Sequence, residues 1–150
     1  MLNIDCQEFA ALLNANGVES LVVGAYALAA HGHPRHTGDI DFWLSDTPGN
    51  IGRLLQALAD FGFASLGLKA ADFTPDTVIQ LGQPPRRIDL LTGVDGVDFA
   101  ERWGRRETLQ LDGVQLGFIG LQDFKTNQRV AGRLRDLADL DALDAGRFAD

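Results

Sequence analysis

One cysteine, one methionine and one tyrosine stand among 150 residues, and Lys69 and Lys125 are the only lysines. With Cys6 alone, no intrachain disulfide and no cysteine-based zinc cluster can form, which fits a reducing compartment. Positive charge is scarce as well: 13 Lys and Arg against 21 Asp and Glu leave a formal net charge of −8. A field of that sign repels a polyphosphate backbone, so extended binding of DNA or RNA through counterion release is excluded. The longest uncharged apolar stretch, residues 21–30, is about half the length of a membrane span. The first residues carry no basic leader segment, and the expectation is a cytoplasmic protein without a membrane partner.

What is present is an ordinary folding composition, 45% hydrophobic and 23% charged. No repeat, linker or low-complexity segment divides it, so residues 1–150 read as a single domain. Asp5 and Glu8 form a capping-box pattern ahead of Cys6, Phe9, Ala10 and Leu13, which predicts a first helix ending at Gly17. Leu21-Val22-Val23 reads as a strand, and Gly24-Ala25-Tyr26 as a turn into a short helix that Gly32 stops. In Asp39-Ile40-Asp41-Phe42-Trp43-Leu44 the apolar Ile40, Phe42 and Leu44 alternate with Asp39, Asp41 and Trp43, the pattern of a strand. Thr47 and Pro48 open a helix running to Gly62. Residues 77–81 and 87–91 predict one hairpin, and residues 108–111 and 114–119 around Asp112-Gly113 a second. Residues 98–103 read as a helix between them, and residues 121–146 as a C-terminal helical pair packed on the domain. The fold class is therefore α/β (α+β), a mixed sheet flanked by helices.

Chemistry concentrates in a few of these elements. Two carboxylates at i and i+2 of a strand lie about 7 Å apart on one face, so Asp39 and Asp41 repel unless one is protonated or a cation lies between them. Hard divalent ions such as Mg²⁺ take carboxylate oxygens together with substrate phosphates. Asp89, set between apolar residues in Arg87-Ile88-Asp89-Leu90-Leu91, can complete such a site from a neighbouring strand. Gly24, between a strand and a helix N-terminus, lets backbone N–H groups approach a phosphate.

The order of these features resembles the polymerase-beta-type nucleotidyltransferase superfamily, and within it the minimal, abortive-infection or toxin–antitoxin-associated nucleotidyltransferases. The resemblance rests on Val23-Gly24-Ala25-Tyr26-Ala27 followed by Arg35-His36-Thr37-Gly38-Asp39-Ile40-Asp41-Phe42-Trp43. Lys125, then Arg129 or Arg133, then Asp136 and Asp139 are similar to the helical tail of the narrower group. The resemblance implies a metal triad of Asp39, Asp41 and Asp89 that holds two Mg²⁺ with the triphosphate. It also implies ATP as donor, AMP transfer to a hydroxyl of a partner toxin or antitoxin protein or of a tRNA, and release of pyrophosphate. Gly24, Ala25, Tyr26, Arg35, Thr37 and Lys125 fall at its nucleotide-binding positions. Ala25 departs from the pattern, which has a second Gly or Ser there, and removes any hydroxyl contact.

Other readings stand beside this one. The chain could be a non-catalytic module of the same fold, binding or antitoxin-like, which Ala25 suits. His31, His33 and His36 are spaced for a zinc ion, and His31 and His33 with Asp39 would make a zinc hydrolase. Trp43 shares the acidic face, where it either stacks on a base or belongs to the core. Arg102, Arg105 and Arg106 read as a solvated helix end that could touch an acceptor.

Overall fold

Period-two alternation builds the centre of the molecule: Ile40, Phe42 and Leu44 are buried on one face of their strand, and Asp39 and Asp41 are only half-buried on the other. The computed structural model describes residues 4–24, 26–27, 39–63, 66–82, 87–93, 98–111 and 113–131. In chain order these form α1 (Ile4–Ala15), β1 (Ser20–Val23), β2 (Asp39–Leu44) and α2 (Pro48–Asp60). A 3₁₀ turn (Ala70–Asp72), β3 (Val78–Leu81), β4 (Arg87–Leu91), α3 (Phe99–Gly104), β5 (Glu107–Leu111), β6 (Val114–Phe118) and α4 (Leu121–Ala131) follow. Gly24, Tyr26 and Ala27 are also helical. The expected second C-terminal helix with Arg133, Asp136 and Asp139, the stop at Gly32 and the histidine loop lie outside the described residues.

The six strands form one mixed sheet in the order β3-β4-β2-β1-β6-β5. β2 lies between antiparallel β1 and parallel β4, so the strand carrying two acids is central. β3 runs antiparallel to β4, and β5 to β6, as the two predicted hairpins require. β1 and β6 are parallel, with Val22 opposite Phe118.

One sheet face is covered by α1 and α2. Phe9 of α1 meets Phe42 of β2 and Phe61, just past α2, edge-on at centroid distances of 5.7 and 5.4 Å. α2 buries Ile51, Leu54, Ala57 and Leu58 at helical spacing, and burial of each large aliphatic side chain contributes about 2 kcal/mol. Pro48 stands at its first turn, where a missing N–H is harmless, and Thr47 is the N-cap as predicted, although its hydroxyl makes no capping bond. α1 begins at Ile4, which places Asp5 inside the helix and not at its cap.

Asn50 fastens the end of the sheet remote from the acids. Fully buried, it accepts from the Glu19 N–H at 2.7 Å and donates to the carbonyls of Ser45 at 2.8 Å and Glu19 at 3.1 Å. The bonds tie the start of β1 to the end of β2, and Ser20 pairs with Leu44 beside them. On the acid-bearing face, Trp43 is buried beneath Phe99 of α3, rings edge-on at 5.0 Å, so it belongs to the core and stacks on no base. No helix among the described residues is long and apolar enough to cross a membrane.

Candidate functional site

The parallel register of β2 and β4 turns two separate sequence motifs into one cluster. Asp39 lies opposite Arg87 and Asp41 opposite Asp89, so all four side chains rise from the same sheet face. One carboxylate oxygen from each of Asp39, Asp41 and Asp89 lies within 4.8 Å of the other two. Asp89 is buried, 7% exposed, while Asp39 and Asp41 are half-buried.

Gly24 closes the other side of Asp41. It follows Val23, the register partner of Asp41, with a φ of +70°. A Cβ at this position would fall 2.5 Å from Asp41 Oδ2 and 3.3 Å from its Cγ. Glycine is thus required here twice, for the left-handed backbone and for the space the carboxylate fills.

Arg87 partly neutralises the acids. Its Nε donates to Asp89 Oδ1 at 3.0 Å, and its Nη2 to Asp39 Oδ2 at 3.0 Å and Asp89 Oδ2 at 3.3 Å. Asp41 receives no such bond: its Oδ1 is buried without a hydrogen-bond partner among the described residues. Burial, above all, pushes the Asp41 carboxyl up to about 8; the bond shared with Asp39 and the charges of Asp39 and Asp89 add to the effect. Asp89 is also raised, chiefly by burial, and Arg87 pulls it partly back. Without a metal, one guanidinium and one proton on Asp41 offset two of what would otherwise be three adjacent negative charges.

The donor set fits a divalent cation. Oxygens on opposite sides of Mg²⁺ lie about 4.2 Å apart, so a small side-chain adjustment brings this set into the range of a hard, oxygen-liganded ion. A buried carboxylate oxygen without a hydrogen-bond partner is uncommon in folded proteins, and a cation held by Asp39, Asp41 and Asp89 would give it one.

The other predicted residues fall in different places. Tyr26 is half-buried, and burial, then Cys6 and Asp39, raise its hydroxyl, so it lies within the electrostatic reach of the cluster. Lys125 stands half-buried in α4. Ala25, Arg35, Thr37, His31, His33 and His36 lie outside the described residues. In the arginine cluster Arg105 and Arg106 are exposed, as expected of a solvated helix end, whereas the Arg102 side chain is only 12% exposed. Arg102 Nε and Arg105 Nη2 grip the buried Asp123 Oδ1 at 2.9 and 3.2 Å, and Arg106 lies 3.9 Å over the Trp103 ring.

Arg87 is the site residue the sequence reading missed. Its signal was present, because an Arg two residues before an Asp in a strand shares its face. Asp39 became its second partner only through the pairing of β2 with β4. Neither protein-family models nor curated proteins matched the chain.

Proposed function

We propose that the protein is a metal-dependent nucleotidyltransferase that moves a nucleoside monophosphate from a nucleoside triphosphate, ATP by resemblance, to an acceptor hydroxyl. The observation that carries this reading is the convergence of Asp39, Asp41 and Asp89 around a buried, unpartnered Asp41 oxygen with Gly24 as its wall. Asp39, Asp41 and Asp89 would hold the cation. When bound, it supplies charge neutralisation and polarisation of the α-phosphoryl group.

The chain's own groups do the rest. Gly24, whose missing side chain makes room for the Asp41 carboxylate, stands at the end of β1 where backbone N–H groups would meet a phosphate. Asp89 accepts the proton of the acceptor hydroxyl; the new oxygen–phosphorus bond forms as the bond between the α-phosphorus and its bridging oxygen breaks, and pyrophosphate leaves with that electron pair. Asp89 suits this task because burial raises its carboxyl toward a useful proton affinity. Tyr26 and Lys125, with Arg35 and Thr37, are assigned to the nucleotide. The acceptor is a partner protein or a tRNA end, since Gly82 and the 83–86 connection before β4 leave little room for a large acceptor-binding insertion.

Calorimetry with ATP, CTP, GTP and UTP, each with and without Mg²⁺, tests the reading. Wild type is expected to bind at least one nucleotide only with Mg²⁺, and the double variant Asp39→Asn/Asp41→Asn none. Equal binding by the variant, or none by wild type, overturns it.

A further inference from the structure

Arg87 spends three hydrogen bonds on two of the three acids, and the geometry shows what that does to a cation approaching them. Both oxygens of Asp89 and one of Asp39 are engaged by the guanidinium, at 3.0 to 3.3 Å. A divalent ion held by the same carboxylates would lie within a few ångströms of this positive charge, and the two would repel at a site that is partly removed from water. Carboxylates whose oxygens sit within 4.8 Å of one another would also repel one another if left without either cation. The Arg87 side chain keeps 30% exposure, so solvent is open to it, whereas the Asp89 side chain at 9% is fixed.

We propose that Arg87 is an exchangeable counter-cation, which holds Asp39 and Asp89 in ligand positions while the site is metal-free and is displaced when a divalent ion binds; this rests on the metal-binding reading above. Arg87 therefore preorganises the site and weakens its affinity for metal alone. Asp41 is the entry point, since it is the one acid Arg87 does not bond. The released fork remains at the edge of the same site, and its planar donors match phosphate oxygens.

The test is Mn²⁺ binding without nucleotide, followed by electron paramagnetic resonance, for wild type, Arg87→Gln and Asp41→Asn. Removing the competing charge-assisted bonds should tighten Mn²⁺ binding roughly tenfold in Arg87→Gln, while Asp41→Asn loses it. Binding that Asp41→Asn abolishes but Arg87→Gln leaves unchanged or weakens overturns the inference and leaves the metal site standing. No Mn²⁺ binding in any form, wild type included, defeats the metal reading and the inference with it. Should Arg87→Gln not fold, the wild type decides the matter through its Arg87 Nε–H resonance, assigned by its absence in Arg87→Lys. That signal must move from its carboxylate-bonded position as Mg²⁺ is added, and a resonance unmoved at saturating Mg²⁺ overturns the exchange.

Discussion

Gly24 and Gly62 both have positive φ, +70° and +100°, but only Gly24 has anything for a Cβ to strike. The pair separates backbone strain from site geometry. An L-residue in the left-handed region loses about 1–2 kcal/mol, so Gly24→Ala and Gly62→Ala should each lower stability by that order in thermal denaturation. Their metal binding should differ. At Gly24 the added methyl displaces Asp41 Oδ2, 2.5 Å away, and Mn²⁺ affinity should fall by roughly tenfold or more, the equivalent of one lost charge-assisted ligand bond. At Gly62, with nothing within 4 Å, metal affinity should remain that of wild type. Equal Mn²⁺ affinities in the two variants would mean that Gly24 serves the turn alone.

Among the elements, the short helix α3 is held on both sides. Its Phe99 sits on Trp43 of β2 and stacks with Trp103 at 5.9 Å, and its Arg102, with Arg105 just beyond it, clasps Asp123 of α4. Asp123 is 8% exposed and the Arg102 side chain 12%, so removing the carboxylate takes the inner ion-pair partner from Arg102, which keeps only the exposed Glu101 at 2.6 Å, and from Arg105 both of its hydrogen bonds. Asp123→Asn should therefore reduce stability by about 1–2 kcal/mol and loosen α4 from α3. The two tryptophans of the chain, Trp43 and Trp103, both contact Phe99, so their fluorescence should report this loosening directly. Unchanged fluorescence and melting temperature would show that the ion pairs are incidental. Because the triad is built on β2 and β4, its Mn²⁺ affinity should survive. The same elements show what was legible from sequence. Strand β2 announced itself through local alternation, and the hairpin of β5 and β6 through Asp112-Gly113. Asp41 beside Asp89, Arg87 beside Asp39 and Asp123 between two arginines each depend on pairings across long stretches of chain, which local periodicity does not encode. The clasp on Asp123 left no trace in its own surroundings, where Asp123 reads as an ordinary first-turn acid of a helix.

For the whole molecule, the net charge of −8 and the raised carboxyl of Asp41 set opposite pH dependences for folding and for metal binding. The unfolded chain loses the Asp41 proton near the ordinary carboxyl value of 3.8, while the folded chain keeps it to about 8. Between these values the native state binds a proton that the unfolded state lacks, so this group makes metal-free stability fall as pH rises from about 4 to about 8 and level off above that. A cation needs the deprotonated carboxylate, so its affinity rises through the same window. The increase in melting temperature on adding Mg²⁺ should accordingly be larger at pH 8 than at pH 6, by linkage of ligand binding to the native state. Asp41→Asn carries no such proton. At pH 8 the metal-free variant should be more stable than wild type by about 1–2 kcal/mol, the usual gain when a strained functional charge is removed. Its Mg²⁺ increment should vanish. Mg²⁺ could also stabilise a chain of this charge by screening alone, which NaCl at equal ionic strength would reproduce. A wild-type increment that NaCl matches, or that is the same at both pH values, would show that the cation acts on the general field and not through Asp41.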